Sequence, residues 1–130
     1  MSAIKEAKTK YSQVRVKEIL ADFRLAVESR EASVIGRKEV FMGKAKFGIF
    51  GDGKELAQIA MAKVFKEGDF RSGYYRDQTF MFAIGELTIQ QFFAQLYAHT
   101  DLEADPSTAG RLMTGHFGTR TWMNRETFGI

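Results

Sequence analysis

The chain has 130 residues, the size of one domain, and its 45% apolar and 27% charged content is that of an ordinary globular protein. It has no cysteine and two histidines, His99 and His116, which excludes disulfide staples, thiolate-held zinc, iron–sulfur clusters, a thiol nucleophile and a histidine-rich metal site. The net charge of +3 is uneven: residues 1–50 carry 11 Lys and Arg against 6 Asp and Glu, residues 51–130 carry 8 against 10, so the first half is either a face for an anionic partner or a solvated basic surface.

The opening residues lack an apolar stretch and mix Glu6 with Lys5 and Lys8, which predicts neither secretion nor organellar import. A cytoplasmic protein is expected. No apolar run approaches the length of a membrane span, so no membrane partner is expected. Residues 11–30 read as an amphipathic helix, with Val16, Ile19, Leu20, Phe23 and Val27 recurring at steps of three and four. Gly36 and Gly43 then punctuate a weakly patterned stretch. Residues 46–51 fit a short strand or a loop, since Gly48 and Gly51 favour the latter.

From Asp52 the signals sharpen. Asp52 and Glu55 have the spacing of a capping box, and Leu56, Ile59, Ala60 and Val64 form one apolar stripe, predicting a helix that ends near Lys66 before Gly68. Residues 70–75, aromatic at both ends, predict a buried strand. Residues 79–84 read as a helix broken at Gly85. Thr88 and Gln91 make a second capping box, opening a helix with Ile89, Phe92, Phe93 and Leu96 on one face and His99 as a structural residue at its end. Residues 101–117, with Pro106, Gly110 and Gly115, read as a long loop. Trp122, Met123 and Phe128 near the end suggest a docking surface for further chain.

A single strand cannot make a sheet. Either the protein is nearly all helical, or it is the opening portion of an α/β domain whose other strands lie outside this chain. The second is the expectation.

Two glycine motifs fail on chemistry. Gly48-Ile49-Phe50-Gly51-Asp52-Gly53-Lys54 has the spacing of a phosphate-cradling loop, but Glu55 stands where Ser or Thr should hold Mg²⁺. Gly51-Asp52-Gly53 is similar to the opening of the Mg²⁺ motif of thiamine-diphosphate enzymes. The Asn that should follow at that motif's spacing is absent: Asn124 lies 73 residues beyond Gly51, far past it. Asp52 is therefore read as a helix cap. The run Arg71-Ser72-Gly73-Tyr74-Tyr75-Arg76-Asp77-Gln78-Thr79 offers more. Arginine forks and phenol donors suit an anion, and a helix opening at Asp77 or Thr79 would add amides. The same residues equally fit core aromatics with Arg71 and Arg76 in surface ion pairs.

Residues 34–120 carry a resemblance to a known family. The run Gly68-Asp69-Phe70-Arg71-Ser72-Gly73-Tyr74-Tyr75-Arg76-Asp77-Gln78 is followed by Gln91-Phe92-Phe93-Ala94-Gln95-Leu96-Tyr97, then by Ala109-Gly110-Arg111-Leu112-Met113-Thr114-Gly115-His116-Phe117-Gly118. In this order the blocks resemble the alpha subunit of the decarboxylating component of 2-oxo-acid dehydrogenase complexes, nearest to the branched-chain (2-oxoisovalerate) type and to bacterial fused alpha–beta forms. The resemblance implies an α/β thiamine-diphosphate-binding fold, here its helix-rich N-terminal portion with an incomplete sheet. It divides the chain into a helical arm, 1–33, and the opening of the domain, 34–130.

By the same resemblance, Tyr75 and Arg76 grip the diphosphate of thiamine diphosphate. The Mg²⁺ ligands fall outside this chain, and the Glu that activates the aminopyrimidine comes from a beta part. The implied reaction decarboxylates a small 2-oxo acid and passes the acyl group to a lipoyl-bearing acyltransferase. The implied assembly is oligomeric, and this chain alone is expected to be inactive. His116 is a weaker candidate for a substrate-facing residue. The alternative is a non-catalytic basic helical module that binds an acidic protein partner or nucleic acid. Against nucleic acid, the basic residues do not interleave with aromatics and no reader motif is present.

Overall fold

The computed structural model describes residues 12–69, 71, 73–105 and 110. Among these, four helices follow in order: α1 (Gln13–Phe41), α2 (Glu55–Val64), α3 (Gln78–Ala83) and α4 (Ile89–Leu96). α1 begins where the Ser12 hydroxyl accepts the Arg15 amide at 3.3 Å, satisfying one orphan donor of the first turn. It ends where the Met42 amide donates to the Lys38 carbonyl and Gly43 turns left-handed at φ 73°.

α1 extends well past the helix read over 11–30 and passes without a break through residues 33 and 34, the expected junction of arm and domain. Gly36 does not punctuate it. A glycine inside a helix costs about 1 kcal/mol in propensity, but a Cβ there would lie 2.5 Å from Phe50 Cε1 and 3.3 Å from Leu96 Cδ2. Gly36 is the notch that admits the Phe50 ring. The buried face of α1 is Ser29, Ala32, Ser33 and Gly36, spaced at three and four like any core stripe. The apolar stripe seen in the sequence lies elsewhere: Ile19, Leu20, Phe23 and Val27 are exposed.

α3 is the hub. It packs on α2 and α1, and α1 also packs on α2 and α4. Met81, Phe80, Thr79 and Gln78 are all buried within it. Phe80 and Met81 form the core with Ala32, Leu87 and Phe92, and Phe50, Phe65 and Phe82 pack around them. Phe65 meets Phe80 edge-on at 5.0 Å between ring centres, a preferred aromatic geometry.

Two capping expectations had different outcomes. Thr88 and Gln91 form the reciprocal box, with Gln91 N donating to Thr88 Oγ1 at 3.1 Å and Thr88 N to Gln91 Oε1 at 3.0 Å. Asp52 does not cap α2. Lys54 holds the N-cap position, and the Asp52 carboxylate is taken by the Arg37 guanidinium at 2.7 Å. Residues 46–51 form a loop.

The strand expected over 70–75 is corrected. No strand occurs among the described residues, and Tyr75 and Arg76 lie in a turn closed by the Asp77 amide on the Tyr74 carbonyl at 3.1 Å. Asp77 gives the physical reason. Its carboxylate accepts the Tyr74 amide at 2.9 Å, offering the backbone a local partner in place of a sheet ladder. Phe70 and Ser72 lie outside the described residues. The described part is thus helical and does not display the sheet of an α/β domain.

Candidate functional site

The Tyr and Arg cluster sits on the turn between α2 and α3, and its two arginines differ. Arg71 is engaged in structure. Its guanidinium donates to Asp77 Oδ2 at 3.0 Å and lies over the Phe80 ring, 5.3 Å from its centre. Burial holds Arg71 below its ordinary pKa, against the pull of Asp77. For this residue the ion-pair reading applies.

Arg76 is placed otherwise. Its guanidinium carbon stands 5.6 Å from the centre of the Tyr75 ring, within cation–π range. Its Nε is buried, with no hydrogen-bond partner among the described residues. A buried donor left unpaired costs about 1–3 kcal/mol and calls for an acceptor. Beside it, the Tyr74 hydroxyl donates to the Tyr75 hydroxyl at 2.7 Å, and the rings lie 4.0 Å apart between centres. That bond raises the Tyr74 pKa. A cation over an aromatic ring, with one donor unsatisfied among the described residues, suits a phosphate-type anion. The residues expected to hold a diphosphate, Tyr75 and Arg76, are brought together here, and their donor chemistry fits that group.

The start of α3 adds nothing to this site. Asp77 is its N-cap but turns its carboxylate back to Tyr74 and Arg71, and the Phe80 amide donates to Gln58 Oε1 at 3.0 Å. The loop at Gly51-Asp52-Gly53 is also closed to phosphate. Glu55 reaches back so that its carboxylate accepts the Gly53 amide at 3.1 and 3.0 Å, and it takes the Arg30 fork at 2.7 and 2.9 Å. Hydrogen bonding from Arg30, above all, holds the Glu55 carboxyl at about 2. The loop carries its own anion. Among the described residues no group of three Asp, Glu or His side chains could hold a metal ion.

Sequence reading missed the residues beneath the turn. Gln58 Nε2 donates to the Arg76 carbonyl at 2.8 Å. Gln78 Oε1 accepts the Gly51 amide at 3.1 Å, while its Nε2 donates to Ser33 Oγ at 2.7 Å. Ser29 and Thr79 share a 2.6 Å bond between hydroxyls. All five side chains are buried, and each makes at least one of these bonds. Their signal was polar residues at core spacing: Gln58 beside Ile59, and Ser29 and Ser33 one turn apart. His99, beyond the end of α4, accepts the Asp101 amide on Nδ1 at 3.2 Å and takes no part in the cluster. His116, Trp122, Met123 and Phe128 lie outside the described residues.

Against known proteins, no family model matches the chain, and no solved structure matches it significantly. The chain is 37% identical over 79 residues to the 2-oxoisovalerate dehydrogenase subunit alpha of Bacillus subtilis (strain 168), covering 60% of this chain and 23% of that protein. It spans about a quarter of the length of the curated relative it matches. No helix among the described residues is long and apolar enough to cross a membrane.

Proposed function

We propose that this chain is a portion of the alpha part of a thiamine-diphosphate-dependent 2-oxo-acid dehydrogenase, and that Tyr75 and Arg76 anchor the cofactor's diphosphate. The observation that carries this reading is the buried Nε of Arg76, without a hydrogen-bond partner among the described residues, beside Tyr75, in a chain similar to such a subunit. When bound, the cofactor supplies the carbon chemistry of decarboxylation. The residues of this chain hold its anionic end: Arg76 contributes a fixed positive charge and planar donors, and Tyr75 a phenol with a ring face that orients the guanidinium. Neither residue moves a proton or meets the substrate. A beta part completes the site with the aminopyrimidine-activating Glu, and Mg²⁺ ligands come from beyond this chain. A lipoyl-bearing acyltransferase receives the acyl group, and the compartment is the cytoplasm.

Calorimetric titration of thiamine diphosphate into the chain tests the anchor. Arg76→Ala should weaken binding about ten- to hundredfold, the loss of a charge-assisted contact worth about 1.5–3 kcal/mol. Arg71→Lys, which keeps the charge opposite Asp77, should change it little. The reverse ranking overturns the assignment.

A further inference from the structure

Arg76 is useful to an anion only if the turn that carries it is held still, and two residues outside the Tyr-Arg pair do that. We propose that Gln58, on α2, and Gly51, in the loop before it, are positioning residues for Arg76. The inference rests on the reading of Arg76 as an anion anchor.

The geometry runs from backbone to side chain. The Arg76 carbonyl receives the Gln58 amide group at 2.8 Å, and the other end of Gln58 accepts the Phe80 amide at 3.0 Å. One buried side chain thus spans the turn and the first turn of α3. On the other side, Gly51 approaches so closely that a Cβ would stand 2.5 Å from the Arg76 carbonyl oxygen and 3.3 Å from its carbon. The Gly51 amide is tied to Gln78, which is tied in turn to Ser33 of α1. The Arg76 peptide is therefore clamped between α2 and a loop fixed to α1. Gly51 is required there for its missing Cβ: the neighbouring atom is backbone and cannot swing away. Held this way, the guanidinium keeps its place over Tyr75, so an anion meets a donor set already in position.

The test uses the full 130-residue chain with inorganic pyrophosphate as probe, followed by ³¹P NMR titration, and a thermal melt on each variant. Gln58→Met, which keeps the length and removes both bonds, should weaken pyrophosphate binding about three- to tenfold. Gly51→Ala should do the same by pushing the Arg76 carbonyl, and it serves where Gln58→Met fails to fold. Thr88→Ala removes the N-cap bond of α4, outside this clamp, and should lower the melting temperature without changing affinity.

The deciding measurement is a double-mutant cycle. If Gln58 acts through Arg76, Gln58→Met should cost no further affinity in an Arg76→Ala background, whereas a general structural effect would add. Absence of pyrophosphate binding by the unmodified chain, or an Arg76→Ala variant that binds normally, overturns the anchor itself. Loss of affinity in Arg76→Ala with full affinity in both Gln58→Met and Gly51→Ala, or additivity in the cycle, overturns the positioning role alone.

Discussion

Glu55 shows how one side chain can settle what a motif does. Spacing made the loop from Gly48 to Lys54 look like a phosphate cradle, and Glu55 was the residue that disagreed. In the fold its carboxylate takes the Gly53 amide and the Arg30 fork, doing for the loop what a bound anion would. Its carboxyl is held at about 2 against an ordinary 4.5. A depressed carboxyl stabilises the fold fully above its unfolded value and loses that contribution as pH falls toward the folded one. Stability should therefore be level with respect to Glu55 above pH 4.5 and decline between 4.5 and about 2. Asp52, lowered by its bond from Arg37, and Glu39, lowered by its bond from Tyr97, slope the same way. The measurement is thus a difference: Glu55→Gln should be less stable than the native chain at pH 7, with the gap closing as pH approaches 2. A gap constant with pH would mean that the Arg30–Glu55 pair contributes nothing through charge.

At the scale of the element, helices were legible where a local device set their ends. α4 is the clearest case, because Thr88 and Gln91 need only each other, and Phe92 and Leu96 then point to the core. Thr88→Ala should cost about 1 kcal/mol through loss of the N-cap, and Thr88→Ser should restore most of it. Urea unfolding midpoints would decide; equal midpoints for Ala and Ser would remove the box from the account. Where the deciding contact was distant, sequence misled. Hydropathy marked Val16 to Val27 as the inner face of α1, yet the inner face is Ser29, Ala32, Ser33 and Gly36. These residues are small so that Phe50 and the Gln78 network can approach, and apolar periodicity does not register smallness. The aromatic run before Asp77 read as a strand because strand propensity is largely a propensity for burial. The Asp77 carboxylate, which folds the backbone into a turn, outweighed it. Tyr75 and Arg76 were named from family resemblance; the donor that makes Arg76 stand out, and Gln58 beneath it, became visible only in three dimensions.

At the scale of the whole molecule, the described core is small and leaves large apolar side chains outside it. Leu20 and Phe23 on α1 are 59% and 66% exposed, and Val64 at the end of α2 is 72% exposed. Lys63 ties that end of α2 to Glu18 and Asp22 of α1 at 2.7 and 2.8 Å, so the two exposed stretches lie on neighbouring elements. Soluble monomers seldom display contiguous apolar area beyond a few hundred Å². The chain should therefore self-associate, with a sedimentation coefficient that rises with concentration. Two forces could drive this, and they respond differently to salt. Burial of apolar surface strengthens in sulfate, whereas attraction between the basic first half and an acidic surface weakens as ionic strength grows. The exposed stripe of α1 is apolar, Ile19, Leu20, Phe23 and Val27 among its members, so the first response is expected. Phe23→Lys should reduce association without moving the melting temperature, because Phe23 is exposed and is not a member of the core cluster. A chain that stays monomeric at every concentration, in sulfate as in chloride, would show that α1 carries this stripe as ordinary surface.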